Sequence, residues 1–243
     1  MSILYILFHL AFLFPNAYAT GREYYPASGK IATDTLLRPQ KLYSDATYLS
    51  QYLFNGARYH VYDRTAPTHQ FYVGRDLLTG TIRYDGYDYG PYQMLYDIYL
   101  GQLIIKQPVN GFLVQLDSAK VEHFTLNNSS FERVTNRSGL KSGIYQTLYE
   151  GKIKLICRRK KIRLEKYEDS KAIPVYVDIS SYFLYKGVEY RQIKRKKDIY
   201  SLFPEHRKEI RSYLRSASTS FKEDIEPHLL EIAKIIDQPG SGI

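Results

Sequence analysis

Across residues 79–193 the chain repeats one pattern: a short run alternating apolar and polar residues, then a tight turn. In Tyr92–Tyr99, the side chains of Tyr92, Met94, Tyr96 and Ile98 fall on one side, and those of Gln93, Leu95, Asp97 and Tyr99 on the other. Period two marks a β-strand, whose successive side chains point to opposite faces. Thr79–Asp85 behaves the same way, with Ile82 and Tyr84 sharing a side. Leu100-Gly101, Glu150-Gly151 and Lys186-Gly187 each separate two such runs and predict hairpins, while Asp117-Ser118-Ala119-Lys120 marks a further turn. No long helical segment intervenes, so βαβ units are excluded. The expected fold class is mainly β, an antiparallel sandwich or barrel, with a small C-terminal helical segment. Its predicted core holds Ile82, Met94, Tyr96, Ile98, Leu103, Ile105, Phe124, Leu126, Ile153, Leu155 and Cys157.

Composition agrees with this reading. The chain has 25 tyrosines against 11 phenylalanines and no tryptophan. A tyrosine suits a half-buried pleated surface, with its ring packed and its hydroxyl wet. After Ile193 the period changes. Asp198 is a candidate N-cap before an apolar turn, and Pro204 suits the first turn of the next helix. Ile210, Tyr213 and Leu214 then stand at helical spacing. Asp224 can cap a last helix whose Ile225, Leu229, Ile232 and Ile236 form one stripe. The predicted organisation is a signal peptide (1–19), a lead-in (20–54) with a short ordered piece near Leu49–Phe54, a β domain (55–193), a helical segment (194–237) and a disordered tail (238–243).

The first nineteen residues, MSILYILFHLAFLFPNAYA, carry no Asp, Glu, Lys or Arg. Ile3–Phe14 is almost wholly apolar, Pro15-Asn16 breaks the run, and Ala17-Tyr18-Ala19 supplies the small–x–small pattern cut by signal peptidases. The n-region departs from the rule in lacking a basic side chain. The apolar run is too short for a spanning helix, and no second long apolar stretch follows, so the mature chain is expected to have no transmembrane span. The single cysteine, Cys157, has no intramolecular partner and shares strand parity with Ile153 and Leu155, which predicts a buried, inert thiol.

The order of LFNGARY (53–59), GTIRYDGYDY (80–89), LYDIYLGQLII (95–105), VEHFTL (121–126), LYEGKIKLI (148–156) and KKDIYSLFPEHRKEIRSYL (196–214) resembles a group of uncharacterised exported proteins of Bacteroidota. The resemblance implies a bacterial source and export to the periplasm or an outer-membrane-associated site. It implies no activity and no catalytic residue.

Candidate chemistry is sparse. Cross-strand tyrosine pairs stabilise hairpins, and that is the preferred reading of the tyrosine-rich stretch 84–99. Tyr92 and Tyr96 are expected to be structural. Tyr87, Tyr89 and Tyr99 are expected to be freer and are the ligand-binding candidates. Asp85 and Asp88 flank the turn residue Gly86, and Asp97 alternates with tyrosines, either facing solvent or satisfied by a neighbouring hydroxyl. His60 and His69 flank Asp63 without any metal-ligand spacing, and His206 and His228 are expected on the wet face of the helical tail. No serine-nucleophile motif and no phosphate-binding glycine loop occurs. No cofactor and no metal is expected.

The basic residues Arg158, Arg159, Lys160 and Lys161, and Lys194, Arg195, Lys196 and Lys197, form two runs in a chain of net charge +9. A solvated face is their plain reading; an anionic polysaccharide, lipopolysaccharide or membrane surface is the functional one. Export argues against genomic nucleic acid as partner. The expected function is therefore that of an exported, non-enzymatic β-rich envelope or periplasmic module that binds or supports another envelope component, an anionic component or a glycan. The alternative is a glycan- or peptide-directed hydrolase drawing on Asp85, Asp97, His60 or His69. Export makes a direct prediction: mass spectrometry of the envelope fraction should find a mature chain beginning at Thr20, and an intact Met1 on the abundant form would contradict it.

Overall fold

Alternation becomes strand throughout the central region of the computed structural model, which describes residues 50–238 except Ser138. The expected signal peptide, residues 20–49 of the lead-in and residues 239–243 of the tail lie outside the described residues. The strands are β1 (Leu78–Tyr84), β2 (Tyr87–Asp97), β3 (Gln102–Lys106), β4 (Leu113–Gln115), β5 (Val121–Leu126) and β6 (Ser129–Val134). They continue with β7 (Gly143–Glu150), β8 (Lys154–Arg158), β9 (Lys161–Glu168), β10 (Lys171–Asp178), β11 (Ser181–Lys186) and β12 (Glu189–Ile193). All pairings are antiparallel: ten strands form one sheet in the order β12-β11-β8-β7-β6-β5-β1-β2-β3-β4, and β9 and β10 form a separate hairpin. The fold is mainly β and sandwich-like. The large sheet ends at β12 and β4, which do not pair with each other, so it does not close into a barrel. The outer side of β4 is bonded by residues 57–59, the Tyr59 N–H donating to the Leu113 carbonyl and the Gln115 N–H to the Ala57 carbonyl at 2.8 Å each.

Three predicted hairpins are present, at β2–β3, β7–β8 and β11–β12. Asp117–Lys120 is also a turn, but the strands on either side of it do not pair with each other. Instead β5 pairs with β1, four places from β4, which is about 19 Å in a flat sheet at the usual strand spacing. Only Leu116–Lys120 link β4 to β5, and that link is shortened by a turn in which the Lys120 N–H donates to the Asp117 carbonyl (3.0 Å). So short a connection requires the sheet to curl, and the curl encloses the main core. Gly80 marks one of its closest approaches: a Cβ there would sit 1.8 Å from the Thr125 carbonyl oxygen.

Inside the curl, Phe124 and Phe131 stack at 4.7 Å, and Tyr96 meets both edge-on at 5.3 and 5.5 Å. Ile82, Met94, Ile98, Leu103, Ile105 and Leu126 belong to the same core, and every core position read from the alternation is buried. Tyr92 is only half-buried, edge-on to Phe54 at 5.6 Å.

The opposite face of β2–β3 is not solvated. Residues 57–77, which form no strand, lie across it, and Tyr59 and Phe71 pack with Leu95 and Ile104. β2 is consequently buried on both faces from Met94 to Asp97.

Helices cover the other end of the sheet. A short α1 (Ser50–Leu53) supplies Leu53 to the main core. α2 (Lys196–Leu202), a 3-10 turn (Pro204–His206), α3 (Arg207–Ser216) and α4 (Ile225–Asp237) follow β12. Asp198 stands in the first turn of α2 instead of at the cap, where its carboxylate accepts the Lys194 and Arg195 N–H groups at 2.9 Å each. Asp224 does occupy the N-cap position of α4. Leu229, Ile232, Ala233 and Ile236 are buried and belong to one cluster with Ile153, Leu155, Leu184 and Ile193. Burying such a side chain is worth roughly 1.5–3 kcal/mol, so these helices are held by the sheet. His228 belongs to this buried face too, correcting its expected surface position: Tyr213 and Thr219 hydroxyls contact its ring nitrogens at 3.0 and 3.2 Å. Cys157 is fully buried as expected, and burial pushes its thiol up to about 12.

Three strands escape the alternation. β6 follows an Asn127-Asn128 turn, and β9 and β10 join through Asp169-Ser170, both of which have positive φ. Most of β9 is exposed, so no buried face imprints a hydrophobic period on it. Tyr89 is also corrected, being buried at 9% exposure where freedom was expected, whereas Tyr87 is exposed. In thermal or denaturant unfolding, Tyr89→Ala should therefore destabilise clearly more than Tyr87→Ala. Phe124→Ala should cost about 3–5 kcal/mol, as for other buried aromatics.

Candidate functional site, a cationic cleft

Where β6, β7 and β8 run beside one another, their ends meet the β2–β3 turn. Arg133 comes from β6, Gly143 and Ile144 from the start of β7, Arg158 from the end of β8, and Arg159 and Lys160 from the residues after it. Together with Tyr96, Ile98, Tyr99, Leu100 and Gly101 they line a cleft of about 250 Å³. Four cationic side chains line it and no carboxylate does.

The four cations are not equivalent. Arg159 is already committed: its two terminal nitrogens donate to the two Glu226 oxygens at 2.7 and 2.8 Å, and its Nε donates to Gln146 at 2.7 Å. This two-pronged pair balances its charge and ties the cleft to α4. Arg133 donates Nε to the Val121 carbonyl (3.0 Å), and Arg158 donates one terminal nitrogen to the Ser142 carbonyl (3.1 Å). Each guanidinium carries five N–H groups in a fixed fork, so both keep donors in reserve. Among the described residues neither is in an ion pair, and neither is Lys160, which is exposed. Gly143 makes room for this arrangement, since a Cβ at that position would lie 2.9 Å from an Arg158 terminal nitrogen.

Tyr99 borders the cleft at 38% exposure, and its ring stands edge-on to Tyr176 of β10 at 5.5 Å. Its backbone is set by Asp97. The fully buried Asp97 carboxylate accepts the N–H groups of Tyr99 (3.0 Å) and Leu100 (2.9 Å), shaping the turn. It also accepts the hydroxyls of Tyr59 (2.9 Å) and Tyr62 (2.7 Å) from the covering segment. Burial, then the bond to Asp97, holds the Tyr62 hydroxyl far above its ordinary range, so it remains a donor. Nearby, Lys161 donates Nζ to the carbonyls of His69 (2.9 Å) and Phe71 (2.8 Å). Burial pulls its ammonium below its ordinary value, and the charges of Asp178 and Asp97 oppose that shift. Arg163 and Tyr176 both bond Asp63, at 2.8 and 2.7 Å, anchoring the β9–β10 hairpin to residue 63.

The structure thus sorts the sequence candidates. Tyr99, Arg158, Arg159 and Lys160 converge on one cleft. Tyr87 and Tyr89 stand elsewhere, Tyr89 beside Arg83 and His123 in a separate hollow of about 280 Å³. Lys161 is corrected from surface charge to buried tie. Lys194, Arg195, Lys196 and Lys197 are exposed and do not line the cleft. The hydrolase candidates are not gathered. Asp97 is saturated with donors, Asp85 bonds Tyr52 (3.0 Å) at the β1–β2 turn, His60 is exposed, and His69 stacks on Phe71 at 6.3 Å. No group of three His, Cys, Asp or Glu side chains among the described residues could hold a metal ion. Arg133 and Tyr96 are the lining residues that sequence reasoning passed over. Arg133 is an isolated arginine, and Tyr96 shares the apolar parity of its strand.

No known family model, no curated protein and no solved structure matches this chain.

Two titrations on the covering segment should contribute to acid stability. Burial first, then the Lys161 and Arg75 charges, hold the His69 imidazole below its ordinary 6.5. An unfolded chain takes up a proton there that the folded chain refuses, so this contribution is complete above pH 6.5 and is lost as pH falls below it. The hydrogen bond from Arg163, opposed by burial and helped by Tyr176, holds the Asp63 carboxyl below 3.8; its contribution is present above pH 3.8 and is lost as pH falls through the lower folded value. Denaturant midpoints measured against pH should fall in both windows, and His69→Gln should flatten only the upper one. At neutral pH, Asp97→Ala should cost about 3 kcal/mol or more, because buried donors left without an acceptor lose roughly 1–3 kcal/mol each.

Proposed function

We propose that this protein is an exported, non-enzymatic envelope module, periplasmic or outer-membrane-associated, which holds an anionic group of another bacterial envelope component in the cationic cleft. One observation carries the reading: Arg133, Arg158 and Lys160 converge on a concave site with no carboxylate to neutralise them. Like charges gathered in a low-dielectric recess repel one another, and an anion relieves that repulsion. The apolar leader read from the sequence and the resemblance to exported Bacteroidota proteins support the location. No helix among the described residues is long and apolar enough to cross a membrane. The hydrolase alternative lacks support from geometry, because its candidate carboxylates and histidines are separated or already bonded.

Purified protein should bind purified lipopolysaccharide. Binding should weaken by at least about tenfold in an Arg158→Glu/Lys160→Glu double variant, whose introduced carboxylates repel the anion. It should also weaken as salt is raised, because part of the cleft is open to screening. A control that reverses Lys194, Arg195, Lys196 and Lys197 should retain most of the affinity. If the control loses binding and the cleft variant does not, the exposed run 194–197 is the binding element and the cleft reading is wrong.

A further inference from the structure

Tyr96 is the cleft residue whose chemistry the fold leaves unused. Its ring is fixed in the core by Phe124 and Phe131, and the residue as a whole is only 4% exposed. It nevertheless lines the cleft. Its hydroxyl makes no hydrogen bond among the described residues. Burial holds that hydroxyl above its ordinary range, while the neighbouring Arg158 and Arg133 charges act in the opposite direction. The hydroxyl opens on the cleft beside two guanidiniums, with a proton to donate and no acceptor for it among the described residues. An arginine cannot accept its proton.

We infer that the Tyr96 hydroxyl, Arg133 and Arg158 form a subsite for a phosphate monoester, with Tyr99 beside the portion of the ligand that projects from the cleft. This inference rests on the anion-binding reading and narrows it to one anion. Charge decides between the candidates. Arg159 is neutralised by Glu226 and Lys160 is exposed to solvent, leaving Arg133 and Arg158 as the two unpaired, half-buried charges. A phosphate monoester carries about −1.5 to −2 near neutral pH and matches them, whereas a carboxylate leaves one unbalanced. Donor count agrees. Two forks and a hydroxyl can serve three terminal phosphate oxygens, more than a carboxylate presents. The volume, about 250 Å³, is below that of pockets enclosing whole drug-sized ligands, so it suits a charged group with its carrier outside. Sugar and lipid phosphates share this chemistry.

The test is calorimetric titration of the purified full chain with glucose 1-phosphate, with glucuronate, and with vesicles containing or lacking phosphatidate. It is repeated on Tyr96→Phe and Arg133→Gln, with melting temperatures to show that both remain folded. Tyr96→Phe keeps the ring and removes only the hydroxyl. Glucose 1-phosphate should bind more tightly than glucuronate, and Tyr96→Phe should weaken the phosphate by about tenfold while leaving glucuronate nearly unchanged, as expected for loss of one charge-assisted hydrogen bond. Binding only to phosphatidate vesicles, still sensitive to Tyr96→Phe, would assign the source to a lipid headgroup and support the subsite. Glucuronate binding at least as tight as phosphate, or phosphate binding indifferent to Tyr96→Phe, would overturn the subsite while leaving an anion-binding cleft in place. No binding of any anion, together with lipopolysaccharide binding unaffected by Arg158→Glu/Lys160→Glu, would overturn both.

Discussion

Asp97 is the constraint on which the molecule turns. Its carboxylate sits in the interior on a strand with both faces covered, where an unpaired charge would be prohibitive. Four donors satisfy it: two tyrosine hydroxyls from the covering segment and two backbone N–H groups from the turn just after it. The same four bonds therefore do two structural jobs. They hold residues 59–62 against the sheet, and they set the path of the β2–β3 turn. That turn carries Tyr99 and Leu100 to the cleft, so the geometry of the candidate site depends on a carboxylate outside it.

Polar ties between distant segments recur in this chain, whose single cysteine leaves no intramolecular disulfide to perform that role. Lys161 joins the β9–β10 hairpin to the carbonyls of His69 and Phe71, and Asp63 receives Arg163 and Tyr176 of the same hairpin. Asp237 accepts the Tyr149 hydroxyl (2.9 Å) and the Lys152 N–H (2.6 Å), fastening the end of α4 to the β7–β8 turn. Arg159 and Glu226 fasten its beginning. Each tie places a charge where it has a fixed partner. Among the described residues Arg133 and Arg158 have no carboxylate partner: each donates to a carbonyl, and Arg158 also lies over the Tyr145 ring at 5.8 Å. This lack of a counter-charge marks the cleft as something other than scaffold.

The tyrosines divide along similar lines. Tyr59 and Tyr62 fasten the structure by donating hydroxyls to the buried Asp97 carboxylate, Tyr176 by donating to Asp63, and Tyr96 by ring packing. Tyr96 leaves its hydroxyl for the cleft. A single side chain can thus belong to the core and to a site, because a tyrosine is apolar along its body and polar at its tip. Alternation assigns the ring to a face and is silent about what the tip meets.

Sequence alone determined the antiparallel β class, the main hairpins, the inward face of β2 and the C-terminal helices. All of these follow from local rules: period two, period 3.6, and the glycines that turns require. The curl of the sheet and the second covering of β2 came from tertiary structure, because each depends on which distant segments pair. β9 and β10 were hidden for the same reason, having little buried face to leave a period. The cleft was half legible. Arg158, Arg159, Lys160 and Tyr99 were candidates, yet a run of basic residues does not say which are paired. Glu226 lies in a helix far along the chain and neutralises Arg159; the carbonyls of His69 and Phe71 remove Lys161 from the surface. Only the folded chain decided that Arg133 and Tyr96 replace them, since electrostatic balance is set by neighbours in space and not in sequence.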